Sequence, residues 1–428
     1  MKRVAVVVQR CHPSVVGGSE ALAWQYARLL ASRFEVEILT STASDYMTWN
    51  NDLAPGVEPR EGIPVRRFPV EITRGKYWFE LHARLMREVH PSRGKPLAER
   101  AYWREALEDE FIRFQGPYCP ALEAHLAAHR DHWDAVVFCT YLYPTTYFGI
   151  RAVSPVKAIL VPTLHDEPPA YLAGFAERYG EYPNRIWLTD SEQRVAKRLW
   201  NSDSGEVIGM AVEHTESTQP EVRAKPYFLY SGRIEEGKGC RELLDAFFRF
   251  RKRSKTDATL VLTGVDNMKL PQRGDIEFLG FVDEAKKLAL MAGAAAFVLP
   301  SEYESFSIVT LEAMAQKTPV IVNGRAKCCA TTSIARTRAS TTARPKSSPM
   351  RWSVRSRSVP TRAPAWAKRA GVTCSIGIRK SASANGSSMR SSASPQRVAS
   401  RSARQRAPKR TANFAPPSAS ERDTCRSP

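Results

Sequence analysis

The sequence predicts an α/β protein made of two consecutive doubly wound units that face each other across a cleft. Three observations carry that expectation. Short β-branched runs alternate with amphipathic helical stretches. The alternation pauses at a polar stretch, residues 213–225, and then resumes. A chain of 428 residues has room for two domains, each with its own core.

Residues 3–8 read as a first strand and 19–34 as a helix, with Ala21, Leu22, Trp24, Ala27, Leu29 and Leu30 on its apolar face. Residues 35–40 form the second strand of this βαβ opening. The start, Met1-Lys2-Arg3 and five apolar residues, resembles a secretory leader, but Gln9 and Arg10 interrupt the apolar run too early. Strands are expected again at 134–140, 157–162 and 185–189, and a helix at 191–200. Residues 63–130 are rich in aromatic and charged side chains and read as helices that shape a pocket. A second series of strands follows at 227–230, 259–263, 276–282, 294–299 and 319–322. The expected organisation is a first Rossmann-like domain over 1–212, a second over 213–324 that is truncated, and a basic low-complexity tail over 325–428.

The formal charge of +19 points to nucleic acid or an anionic membrane only until it is located. Residues 325–428 hold 23 Lys and Arg against 2 Asp and Glu, whereas residues 1–324 hold 40 against 42. The body is therefore slightly acidic. Cys11, Cys119, Cys139 and Cys240 are scattered without zinc spacing and are expected to be reduced. No apolar run approaches the ~20 residues that span a bilayer. A cytoplasmic protein is expected, with peripheral contact to the inner membrane face left open.

Three segments carry chemistry. Val16-Gly17-Gly18-Ser19-Glu20 is a glycine turn between the first strand and helix, where backbone N–H groups can meet an anion. A ligand-free turn capped by Ser19 explains it equally well. Ser231-Gly232-Arg233-Ile234-Glu235-Glu236-Gly237-Lys238-Gly239 follows a strand and precedes a helix over 242–250, so Arg233 and Lys238 can hold a diphosphate between them. The bland alternative is a solvated basic loop. In Pro300-Ser301-Glu302-Tyr303-Glu304-Ser305-Phe306-Ser307-Ile308-Val309-Thr310-Leu311-Glu312 a helix is expected to begin near Ser305. That places Glu304 at its entrance and Glu312 ~12 Å further along, a separation that suits an extended ligand.

Together these motifs resemble the retaining glycosyltransferases of family 4, which have the GT-B architecture. The resemblance covers about residues 1–324 and is most specific in Glu304 and Glu312, followed by Pro319-Val320-Ile321. It implies transfer of a sugar from a nucleoside-diphosphate sugar to an acceptor hydroxyl with retention, in glycan or glycolipid synthesis. It implies that Arg233 and Lys238 bind the donor diphosphate, that Glu304 contacts the transferred sugar and Glu312 the ribose, with Ser305, Phe306 and Ser307 completing the donor site. Gly17 and Gly18 become an acceptor or phosphate loop, and His165, in Thr163-Leu164-His165-Asp166-Glu167, matches a histidine near the sugar. The acceptor is a glycan, a lipid-linked sugar or a small molecule. No metal or other cofactor is implied, and no D-x-D stands on a loop after a strand. Two alternatives stay open: a GT-B nucleotide-sugar epimerase, and a non-catalytic product whose basic tail binds nucleic acid.

The tail has no Leu and no Tyr, and Ala, Ser, Arg, Thr, Pro, Cys, Trp and Gly make up 83 of its 104 residues. No buried face can be drawn on it. Those eight residue types have codons with C or G in the middle position, as arises when a GC-rich gene is read out of frame. Arg325–Thr332 can be encoded CGC GCG AAG TGC TGC GCG ACC ACG, and one T restored after the first codon gives Arg-Cys-Glu-Val-Leu-Arg-Asp-His. The same shift turns the codons of 346–353 into an acidic amphipathic helix start. The expectation is a frameshift after about residue 324, with an inactive or poorly folding product.

Overall fold

The structure is a computed structural model that describes residues 1–15, 17–212 and 219–326. Beyond Ala326 the predicted tail lies outside the described residues, as do Val16 and linker residues 213–218.

In the first half the elements run β1 (Arg3–Val7), α1 (Gly18–Ala31), β2 (Glu35–Ser41), β3 (Gly56–Arg60), β4 (Ile63–Phe68), α2 (Lys76–Glu88), α3 (Glu105–Gln115) and α4 (Pro120–Ala128). They continue with β5 (Ala135–Cys139), α5 (Pro144–Tyr147), β6 (Ala158–Val161), α6 (Ala173–Gly180), β7 (Ile186–Trp187), α7 (Asp190–Trp200) and β8 (Glu206–Val207). The main sheet has the order β3-β4-β2-β1-β5-β6, and β7 pairs with β8 beside it. Alternation along β1 feeds two cores. Val4 and Val6 pack with Leu22, Ala23 and Ala27 of α1, while Ala5 and Val7 face Leu85, Phe111 and Leu122 of α2, α3 and α4. Burying a large apolar side chain contributes about 1.5–3 kcal/mol, so both layers are needed to hold the sheet.

One departure from the expected parallel sheet is the hairpin β3–β4, which pairs antiparallel. Its two-residue loop has positive φ at Glu61 (48°) and Gly62 (81°), the turn whose twist matches paired strands. Its strand β3 forms the sheet edge, and Pro64 of β4 stands just before the β2–β4 register begins at Val65, so the Pro59–Pro64 pair lies outside the inner ladder.

The second half comprises β9 (Tyr227–Ser231), α8 (Cys240–Ser254), β10 (Thr259–Thr263), β11 (Ile276–Phe278), α9 (Glu284–Gly293), β12 (Ala296–Leu299), α10 (Ile308–Ala315) and β13 (Val320–Val322). The sheet order is β11-β10-β9-β12-β13 with every pair parallel. Phe228 and Tyr230 pack on Leu243 and Phe247 of α8, and Tyr227 and Leu229 on Leu290 and Met291 of α9.

Helix α10 corrects a sequence expectation. It begins at Ile308 rather than near Ser305, with Ser307 at the capping position and its hydroxyl 2.8 Å from that of Thr310. Residues 305–306 are drawn out of the helix by the first half: the Ser305 carbonyl accepts from Thr189, and Phe306 packs beside Leu188 and Met210. Cys11, Cys119, Cys139 and Cys240 are free and buried. Among the described residues no helix is long and apolar enough to cross a membrane.

Candidate functional site

Ligands of doubly wound sheets gather outside the carboxyl ends of the strands, where the strand order reverses. In the second sheet that point lies between β9 and β12. The loop after β9 carries Arg233 and Lys238, and the loop after β12 carries Glu304. A single turn at Glu236–Lys238 ends in Gly239, whose φ of 73° swings the chain into α8. This turn delivers Lys238 Nζ to 2.8 Å from Glu304 Oε1.

The first half meets these loops with its own strand ends. After β6, His165 Nδ1 stands 3.3 Å from Glu167 Oε1, which also accepts a 2.7 Å bond from the Tyr141 hydroxyl. Burial opposes a charge on the imidazole. Glu167 and, further off, Glu304 outweigh it, and the His165 pKa is raised. Burial likewise opposes the Glu167 carboxylate, yet His165 and Tyr141 hold it below its ordinary range. His165, Glu304, Ser305, Ser191 and Arg93 help line a cavity of about 360 Å³ between the halves.

The other expected site residues fall around this centre. Arg233 lies 3.3 Å from Glu235, its guanidinium 4.5 Å from the ring centre of Tyr46. Glu312 is ion-paired at 2.8 Å with Lys287 of α9, and neither it nor Arg233 lines the cavity. Ser305 and Phe306 engage the first half, and Ser307 stands at the N-terminal boundary of α10 with its hydroxyl against that of Thr310.

Gly17 and Gly18 stand at the entrance of α1. Glu20 turns back over Gly17, where a Cβ would come within 2.1 Å of Glu20 Oε2, whereas Gly18 faces open space. Arg10 holds that carboxylate by bonds of 2.9 and 2.5 Å, with both side chains under a tenth exposed.

Sequence reasoning missed Tyr46, Arg93, Glu167 and Glu235. Arg93 bonds Glu302 at 3.1 Å and the Tyr303 hydroxyl at 3.0 Å, clasping the loop that bears Glu304. Glu167 and Glu235 stood inside quoted motifs and were readable as partners for a nearby cation. Tyr46 and Arg93 carried no local signal, because their side-chain hydrogen bonds to the second half span 189 or more residues.

Residues 213–331 match the family "Glycosyl transferases group 1". Relatives match over part of the chain. A glycosyltransferase of Methanocaldococcus jannaschii described as uncharacterized is 38% identical over 104 residues, 22% of this chain and 26% of that one. Glycogen synthase of Mycobacterium tuberculosis is 36% identical over 104 residues, 22% and 25% of the two chains. A phosphatidyl-myo-inositol mannosyltransferase of Mycobacterium leprae is 31% identical over 150 residues, 32% and 40%. The chain thus spans about a quarter of the length of the first two.

Beyond the matched segment, the body as a whole resembles solved structures. A trehalose-6-phosphate synthase superposes with a TM-score of 0.56 at 11% identity, covering 78% of this chain and 87% of that one. An α,α-trehalose-phosphate synthase from Burkholderia xenovorans gives 0.52 at 11%, covering 76% and 87%. The fold is GT-B.

Proposed function

We propose that this fold serves a retaining glycosyltransferase of family 4, which moves a sugar from a nucleoside-diphosphate sugar to an acceptor hydroxyl in glycan or glycolipid synthesis. The observation that carries the reading is the contact of Lys238 with Glu304, beside His165, at the reversal point of the second sheet. A cation and a carboxylate from two neighbouring loops offer one group to phosphate and one to sugar hydroxyls. In the absence of donor each satisfies the other, and the donor replaces that pairing.

Arg233 and Lys238 take the diphosphate, and their fixed charge stabilises it as it departs. Glu304 accepts from hydroxyls of the transferred sugar, and Glu312, held by Lys287, from the ribose. His165, whose pKa Glu167 raises, faces the sugar from the other half. The acceptor hydroxyl attacks from the side the leaving group vacates and gives its proton to a phosphate oxygen, so no protein nucleophile is assigned. The glycine turn then serves the acceptor rather than a free anion, since Glu20 already lies against it. Peripheral membrane contact belongs to the same proposal only where the acceptor is lipid-linked.

Isothermal titration of the chain with uridine, guanosine and adenosine diphosphates tests the donor site. Lys238→Ala is expected to weaken the tightest of them at least tenfold, about 1.4 kcal/mol. Weakening of less than threefold, about 0.65 kcal/mol, removes Lys238 from the role. Release of nucleoside diphosphate from a donor sugar only when acceptor is added separates transfer from epimerisation.

A further inference from the structure

Tyr46 belongs to the first half but spends its side chain on the second. Its hydroxyl donates to Glu235 Oε2 at 3.2 Å, and its ring lies 4.5 Å from the Arg233 guanidinium. Glu235 also draws Arg233 at 3.3 Å, so phenol, carboxylate and guanidinium form a closed triangle. The first half fixes the phenol from behind. Arg74 Nη1 donates to the Tyr46 carbonyl at 2.9 Å, and the Asp45 carboxylate receives the N–H groups of Met47 and Thr48 at 3.2 and 3.0 Å. Arg10, bonded to Glu20 and to the Ser44 carbonyl, stands 5.6 Å from the same ring.

We propose that Tyr46 is a positioning residue that aims Arg233 at the donor diphosphate from across the cleft, and that Glu235 is the placeholder anion the diphosphate displaces. The inference rests on the donor-site reading above. A guanidinium over an aromatic face keeps its charge while losing rotational freedom, which lowers the ordering cost when phosphate arrives. A carboxylate competing for the same guanidinium has the opposite effect on affinity. The two neighbours of Arg233 therefore act with opposite signs. Because the phenol comes from the other half, the aim of Arg233 depends on the halves being closed on each other.

The test is titration of the full chain with the diphosphate that wild type binds most tightly. Tyr46→Leu is expected to weaken binding about tenfold, and Tyr46→Phe, which keeps the ring and loses one hydrogen bond, about two- to threefold. Glu235→Gln keeps an acceptor for the hydroxyl but drops the charge, and is expected to tighten binding about threefold. Thermal midpoints are recorded alongside, and if Tyr46→Leu does not fold, Tyr46→Phe and Glu235→Gln decide. A Glu235→Gln protein that binds no tighter overturns the inference, because a contact that only holds the loop in shape weakens in every variant. Binding that is lost in Lys238→Ala yet unchanged in the Tyr46 variants overturns it while leaving the donor site standing. Failure of all three diphosphates to bind wild type overturns both.

Discussion

At His165 two influences act on one imidazole: burial favours the neutral ring, and the Glu167 carboxylate 3.3 Å away favours the cation and prevails. Removing the carboxylate leaves burial and the Lys238 cation opposed by the more distant Glu304 alone. Glu167→Gln is therefore expected to lower the His165 titration from its wild-type position above the ordinary value near 6.5. Proton NMR of the imidazole resonances, with His165→Asn to assign the peak, reads both. The sign for stability follows from linkage. A raised folded-state pKa contributes stability that is complete below the unfolded value, near 6.5, and fades as the pH rises through the folded value. The stability gap between wild type and His165→Asn should shrink on going from pH 6 to pH 9, and a gap that widens contradicts the assignment. Asp275 is the mirror case in the second half. Hydrogen bonds from Arg273 at 2.9 and 3.0 Å lead its causes, Arg251 adds another, and its pKa falls to about 2.

The loops that bear Lys238 and Glu304 are shaped by the turn that joins β9 to α8 rather than by either element alone. Gly239 adopts φ of 73°, and a Cβ there would lie 2.7 Å from the backbone carbonyl oxygen of Pro300, the residue that follows β12. Gly239→Ala thus both strains its own backbone and pushes the Lys238 turn off the Glu304 loop. A loss of about 1–3 kcal/mol is expected, read as a lower urea midpoint, together with weaker diphosphate binding. An unchanged midpoint means that the turn and the loop are not in contact. The glycine was legible as part of Gly237-Lys238-Gly239, and so were the strands rich in β-branched, aromatic or leucine side chains, such as β1, β2, β9 and β10. The hairpin β3–β4 was not, because Pro59, Pro64 and the charged Glu58, Arg66 and Arg67 imitate a loop; at an edge, prolines cost little and Glu58 reaches Arg67 at 2.6 Å. The start of α10 was misplaced for a different reason. Ser305 and Phe306 have partners in the first half, and a tertiary contact overrode the local helix signal.

Over the whole molecule, two α/β halves with acidic or neutral balance precede a tail of opposite character. The first 324 residues carry 40 basic against 42 acidic side chains, and the remaining 104 carry 23 against 2. The family match ends at residue 331, seven residues past the composition change, and the solved structures cover 76–78% of the chain. Among the described residues β13 has a strand partner on one side only, so its outer edge offers unpaired backbone groups. A polypeptide with no Leu or Tyr and a net charge of +21 has no apolar face with which to cover that edge, whereas the sequence obtained by restoring one base after codon 325 begins with Cys-Glu-Val-Leu. We therefore expect resequencing around codon 325 to show a missing base. A protein made from the restored frame should melt several degrees higher than the present chain, since one added kcal/mol shifts a domain of this size by about 2–4 °C. It should also show weaker salt-dependent retention on a polyanionic matrix, since the 23 basic residues of the present tail are replaced. An uninterrupted read in the present frame, with the restored protein melting no higher, makes the basic extension genuine and returns nucleic acid or anionic lipid to the list of partners to be sought.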